Sequence, residues 1–181
     1  GNHMNEQLQD IPLITIDGKE VSLKDYAGKV ILIVNVASKC GLTPQYSSLE
    51  RFYRHHAEEG LVVLGFPAND FREQEPGTDQ QIADFCKTEY EVTFPLFSKI
   101  AVSGPHQHPL YTALVRAKPS TVGEGSMRQR LQDYGIAVNL EPEVLWNFEK
   151  FLISREGEVV GRFAPDMDIT DTRIQEAIRA L

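Results

Sequence analysis

The residues of this chain best suited to covalent chemistry are its two cysteines, Cys40 and Cys86. Two thiols are too few for a disulfide framework, and too few for a structural zinc site without a matching pair of histidines. His55 with His56, and His106 with His108, have spacings that match no metal motif and are read as solvated. Cys40 follows the apolar run Val30 to Ala37 and precedes Gly41, Thr43 and Pro44, a helix-start signal. It therefore belongs at the carboxyl end of a buried strand, where reaction sites of open α/β sheets collect. Unpaired amides in the first turn of the next helix favour negative charge, and Lys39 adds a cation, so a thiolate is expected. Full ionisation of a thiol with a pKa near ~8.5 raises the attacking species roughly thirtyfold at neutral pH, about 2 kcal/mol. That alone makes no efficient enzyme. The rest must come from placed donors that carry no charge of their own, such as side-chain amides or an indole N–H. Gln74, in the loop Phe66 to Gly77, and the pair Trp146-Asn147 offer such groups. Taken singly, a loop glutamine is more often solvated, and a lone tryptophan more often a core anchor.

The elements that must position these groups are legible in the hydrophobic pattern. Val30 to Ala37 is apolar except at Asn35, and Leu61 to Phe66 repeats the pattern, as expected of central strands covered on both faces. Tyr46, Leu49, Phe52 and Tyr53 recur at helical spacing between them until Gly60, which makes the two strands parallel. Helices are expected over Asp79 to Tyr90, with Cys86 on the apolar face beside Ile82, Phe85 and Tyr90, over Pro109 to Ala117, and over Asp171 to Leu181. Leu13 to Leu23 reads as a hairpin about a two-residue Asp17-Gly18 turn, and Trp146 to Phe163 as a second hairpin. Residues 118–142, rich in Gly, Ser, Pro and charge, read as a surface insert with one short helix near Met127 to Tyr134. Helices flanking a mixed sheet, with a strand running into Cys40 and then a helix, describe a thioredoxin-like α/β domain.

The 181 residues suit one such domain, spanning 5–181 after Gly1-Asn2-His3-Met4, which looks like a cloning remnant. A formal charge of −8 disfavours nucleic acid or anionic membrane as a partner. The longest apolar run, Val30 to Val34, is far below the ~20 residues that cross a bilayer. With no apolar core of a secretory signal, the expected compartment is the cytoplasm.

Three segments together, N-V-A-S-K-C-G (Asn35 to Gly41), L-G-F-P-A-N-D-F-R-E-Q-E-P-G (Leu64 to Gly77) and W-N-F-E-K-F-L (Trp146 to Leu152), resemble the glutathione peroxidase family. The resemblance implies a thioredoxin fold and a catalytic tetrad at Cys40, Gln74, Trp146 and Asn147, with a thiol where many animal members carry selenocysteine. F-C-K-T-E-Y-E-V-T-F-P, Phe85 to Pro95, is similar to the resolving-cysteine segment of thioredoxin-dependent members, which assigns that role to Cys86. Ala68 stands where many of these carry a further cysteine, and Asp70 where glutamine is usual. Arg162 stands alone near the end of the late hairpin, where glutathione-using relatives carry a richer basic cluster. The implied activity is reduction of hydrogen peroxide and organic hydroperoxides, with thioredoxin as reductant and no metal or organic cofactor. A peroxide sensor or thiol relay using the same two cysteines is the alternative. A cysteine packed in a helix cannot easily bring its Cα within about 7 Å of a partner at a strand end, so Asp79 to Tyr90 is expected to unwind on oxidation.

Overall fold

The computed structural model describes residues 7–181, so Gly1 to Met4 lie outside the described residues. Its centre is β3 (Val30–Val36), in which every residue is buried. β4 (Leu61–Pro67) pairs with it in parallel from Val30 opposite Leu61 to Val36 opposite Pro67. The 12-residue helix α1 (Gln45–His56) makes the crossover between them. On its other side β3 pairs antiparallel with β5 (Lys150–Ile153), and β5 with β6 (Val159–Phe163), giving the order β4-β3-β5-β6. The small N-terminal hairpin, β1 (Leu13–Ile14) with β2 (Glu20–Val21), stands apart from that sheet.

This topology decides where chemistry can occur. The carboxyl ends of parallel β3 and β4 share one edge of the sheet, and the amino end of antiparallel β5 meets them there. The loops holding Cys40, Gln74 and Trp146-Asn147 therefore converge by register alone. Helix α2 (Asp79–Tyr90) follows the β4 loop. Its start is fixed by a capping box, in which Thr78 Oγ1 accepts from the Gln81 amide and Gln81 Oε1 accepts from the Thr78 amide. Asp79 adds bonds from Ser98 Oγ at 2.6 Å and the Lys99 amide at 2.9 Å. Beyond its other end, buried Glu50 of α1 accepts from the Thr93 amide at 2.7 Å and the Phe94 amide at 3.3 Å. Helix α3 (Pro109–Ala117) opens with His108 capping the Leu110 amide through Nδ1 at 3.0 Å, and α5 (Thr172–Arg179) closes the chain.

Three local expectations are corrected. The first hairpin does not turn on two residues: the Thr15 amide bonds the Lys19 carbonyl, and only Gly18 within the turn has positive φ, so Asp17 keeps an ordinary backbone. Trp146 to Glu149 is not strand, because Phe148 adopts φ 71° and the ladder with β3 starts only at Lys150 opposite Val34. Residues 118–142 are not a purely superficial segment. Their helix α4 (Glu124–Asp133) buries Met127 and Leu131 in the core, and Val122 bridges to Phe163.

Candidate functional site

Cys40 sits four residues past the end of β3, in a turn that leads into α1. Thr43 shapes that turn: its Oγ1 accepts from the Cys40 amide at 3.0 Å and donates to the Ala37 carbonyl at 2.7 Å. The turn aims the Leu42 amide at Cys40 Sγ, 3.3 Å away. The polar side-chain groups of Trp146 and Asn147 also act on the sulfur, favouring its charged form. Asn147 Nδ2 reaches Gln74 Oε1 at 3.0 Å, and the Gln74 carbonyl accepts from the Lys39 amide at 3.0 Å. Trp146 is braced from both sides, by the Phe71 ring at 5.4 Å and by Asn35, whose Nδ2 donates to the Trp146 carbonyl at 3.1 Å. The structure thus brings Cys40, Gln74, Trp146 and Asn147 together. Gln74 joins the cluster through Asn147.

The expected thiolate is not what this environment favours at rest. Cys40 is only 8% exposed, and burial pushes its thiol above the usual value. The Leu42 amide, then Trp146, Asn147 and the Thr43 amide, pull in the opposite direction without overcoming it. Lys39 is exposed, so its charge is dissipated in water and contributes little at the sulfur. The site is a desolvated thiol surrounded by neutral donors. Such a site binds negative charge that develops on sulfur or oxygen during reaction more strongly than charge already present in the ground state.

Two concavities flank the cluster. One, of about 220 Å³, includes Phe71, Arg72, Ile136, Ala137 and Trp146. The other, of about 370 Å³, includes Ser38, Lys39, Glu75, Ile82 and Phe85 and leads towards α2. Arg72 and Glu73 hold φ of 57° and 52°, a left-handed pair of non-glycine residues that costs roughly 1 kcal/mol or more each. The bonds of Gln74 to Asn147 and to the Lys39 amide must hold the loop in place against that cost. Asp70, which stands where glutamine is usual, accepts from the Val102 amide at 2.8 Å and anchors the same loop.

Cys86 is a free thiol, 1% exposed, on the inner face of α2 beside Ile82. Burial pushes it up to about 11; a contact with the Tyr46 hydroxyl opposes the shift and the Glu75 charge adds to it. That hydroxyl is buried with no well-aligned hydrogen-bond partner, so the contact is loose, while its ring packs on Tyr90 at 5.4 Å, Phe94 at 6.3 Å and Phe148 at 5.6 Å. Arg162 is no part of an open basic cluster: it is 1% exposed, pairs with Glu149 at 2.8 Å and lies over the Phe151 ring. Among the described residues no group of His, Cys, Asp or Glu could hold a metal ion. Sequence reasoning missed Tyr46 and Glu75 as neighbours of Cys86, for neither has any spacing relation to it.

The family pattern described as glutathione peroxidase matches residues 8–115, more than half of the chain and the part that holds Cys40, Gln74 and Cys86. This chain belongs to the glutathione peroxidase family. It is 48% identical to the thioredoxin/glutathione peroxidase BtuE of Escherichia coli K12 over 178 residues, covering 95% of this chain and 97% of the relative. That span takes in Trp146 and Asn147, which lie beyond the family match. The hydroperoxy fatty acid reductase gpx1 of a Synechocystis strain is 45% identical over 82% of this chain and 80% of its own length. Among solved structures, the apo form of Trgpx is similar with a TM-score of 0.65 and 38% identity, covering 95% of each chain. A thioredoxin-family thiol:disulfide interchange protein of Chlorobium tepidum, at 17% identity and TM-score 0.57 over 92% of this chain and 91% of its own, shares the fold. The protein is a peroxidase of this family with a thioredoxin-like fold. Among the described residues no helix is long and apolar enough to cross a membrane.

Proposed function

We propose that this peroxidase reduces hydrogen peroxide and organic hydroperoxides through Cys40, resolves the oxidised cysteine with Cys86, and is recycled by a thioredoxin-type dithiol. The observation that carries this reading is one buried sulfur with uncharged donor groups gathered about it: the Leu42 amide bonded to it, Trp146 and Asn147 favouring its charged form, and Gln74 bonded to Asn147. Cys40 sulfur attacks the terminal peroxide oxygen, the O–O bond breaks, and the departing alkoxide or hydroxide takes up a proton equivalent to the one the thiol gives up. The products are Cys40 sulfenic acid and an alcohol or water. No charged base faces the sulfur, so the donors act by stabilising charge as it develops on sulfur and on the leaving oxygen.

Cys86 then attacks the sulfenic sulfur, the S–O bond breaks, and water leaves with the formation of a Cys40–Cys86 disulfide. An external dithiol reduces this bond by two successive exchanges and is itself oxidised to a disulfide. The burial of Arg162 supports a protein dithiol over glutathione, because this cation is already paired with Glu149 and is not presented to an anionic ligand. The name of the Escherichia coli relative is compatible with either reductant, and that of the Synechocystis relative with organic hydroperoxides. NADPH-coupled turnover with thioredoxin and thioredoxin reductase, run beside glutathione with its reductase, tests the choice. Faster turnover with thioredoxin is expected, and faster turnover with glutathione at physiological concentrations overturns it.

A further inference from the structure

Asn35 is the one polar residue of β3, and it is fully buried. A polar side chain inside a sheet covered on both faces costs stability unless its atoms are bonded, and a branched apolar residue would suit such a strand better. Asn35 is only half satisfied: Nδ2 donates to the Trp146 carbonyl at 3.1 Å, while Oδ1 is buried with no hydrogen-bond partner. Its place in the topology supplies a reason for the amide. The ladder between β3 and β5 ends at Val34 opposite Lys150, because Phe148 at φ 71° turns the chain out of the strand. One position further along β3, Asn35 takes over from the ladder. Its carbonyl accepts from the Phe148 amide at 2.6 Å, and its side chain bonds the Trp146 carbonyl. Those two groups belong to the peptide units on either side of Asn147, so the backbone of Asn147 is tied to one residue at both ends.

We propose that Asn35 is a positioning residue for the peroxidase reaction: from the strand end that carries Cys40, it pins the turn that carries Trp146 and Asn147, and so sets the spacing between the sulfur and its donors. The proposal rests on the reading of Trp146 and Asn147 as donors to charge that develops at Cys40. The bonds of Asn35 go to the backbone of the turn rather than to the sulfur, so it acts through those two residues. The turn has a second tie, from the Leu145 amide to Glu149 Oε1 at 3.1 Å, and Arg162 holds Glu149 at 2.8 Å. Loss of the Asn35 side-chain bond therefore loosens the turn without releasing it. An error of about 1 Å in the placement of catalytic groups costs on the order of a hundredfold in rate.

Asn35→Val removes the amide with a residue suited to a buried strand. Its urea midpoint is expected to stay close to that of the wild type, since one orphaned acceptor disappears with the side chain and another is left at the Trp146 carbonyl. Oxidation by hydrogen peroxide, followed by stopped flow, is expected to slow by roughly ten- to a hundredfold. Trp146 is the only tryptophan of the chain, so its fluorescence reports the same turn: emission should shift to longer wavelength and acrylamide quenching should rise. In a Trp146→Phe background the same substitution should cost less, because part of what Asn35 positions is already gone. An unchanged rate overturns the proposal. Equal losses in both backgrounds also overturn it, since Asn35 would then act on Cys40 along its own strand. Should Asn35→Val fail to fold, the smaller Asn35→Ala carries the same expectations for rate, emission and background. A Trp146→Phe protein as fast as the wild type would remove the donor role of Trp146 and with it the catalytic part of the proposal. That failure is distinct from an unmoved Trp146 emission in Asn35→Val, which would show that Asn35 does not hold the turn.

Discussion

Asn147 donates through Nδ2 to Gln74 Oε1 at 3.0 Å, joining residues 73 positions apart in the chain. The same Asn147 side chain favours the charged form of Cys40, against the larger effect of burial. One amide therefore spans the site, and Gln74 holds it in orientation. Gln74→Ala and Asn147→Ala should each slow peroxide reduction by roughly ten- to a thousandfold, the scale for losing one placed donor. The double variant should be little slower than the worse single one, since the two act as a unit. Stopped-flow oxidation of the single and double variants by hydrogen peroxide checks this, and additive losses would show that the two residues act separately.

Trp146→Phe keeps an aromatic ring against Phe71 but removes the indole N–H that favours charge on Cys40. Peroxide reduction should fall at least tenfold while the melting temperature changes little, whereas a packing role alone would give the reverse. Competition against a reporter peroxidase measures the rate without using the lost fluorophore.

Because burial holds the Cys40 thiol above its usual value, reduced protein at pH 7 is mostly thiol. If attack is by thiolate, the second-order rate with peroxide should rise steadily from pH 7 to 9 as the thiol ionises. A rate that is flat across that range would mean that Cys40 is already ionised or that its proton is transferred within the encounter.

Lys150 is fully buried on β5, where its ammonium bonds Gln45 Oε1 at 2.7 Å and the Pro165 carbonyl at 3.0 Å. Burial lowers its pKa to about 7, despite attraction from Asp168, Asp166 and Glu149. Its folded value lies below its unfolded one, so between pH 7 and about 10.4 the unfolded chain binds more protons and stability rises with pH. The contribution is on the order of 4 kcal/mol over that window, and the cost is fully present below pH 7. Lys150→Met should flatten this slope in urea titrations between pH 7 and 9.5, whatever it does to absolute stability.

Helix α2 is anchored at its start by Thr78, Gln81 and Asp79, and the segment after it is held by Glu50. On the proposed route, an opening that frees Cys86 is confined between these fixed ends. Hydrogen exchange after one equivalent of peroxide should show lost protection over residues 82–90 while Thr93 and Phe94 stay protected. Unchanged protection across the helix in disulfide-bonded protein would contradict this.

The buried strands β3 and β4 were legible because their apolar runs admit few other placements, and α2 and α3 because their periodicity and start signals agree. Cys40 stood out by its place between a buried strand and a helix start, but Gln74, Trp146 and Asn147 became candidates only through three motifs read together, since Gln74 or Trp146 alone carries no mark of function. The protonation of Cys40 was not legible. Local rules see the turn amides and Lys39, whereas the winning effect is burial of the sulfur, which tertiary packing decides. The same limit hid Glu75 and Lys150, whose burial is decided by the packing of α1, α2 and β5.

The most direct test of the peroxide-to-disulfide route is a peptide map of protein treated with one equivalent of hydrogen peroxide and then blocked with an alkylating agent. A single Cys40–Cys86 disulfide is expected in the wild type, and in Cys86→Ser a Cys40 sulfenic acid trapped by dimedone that thioredoxin fails to recycle. A wild type in which Cys86 remains a free thiol while thioredoxin-coupled turnover proceeds at full rate would contradict it.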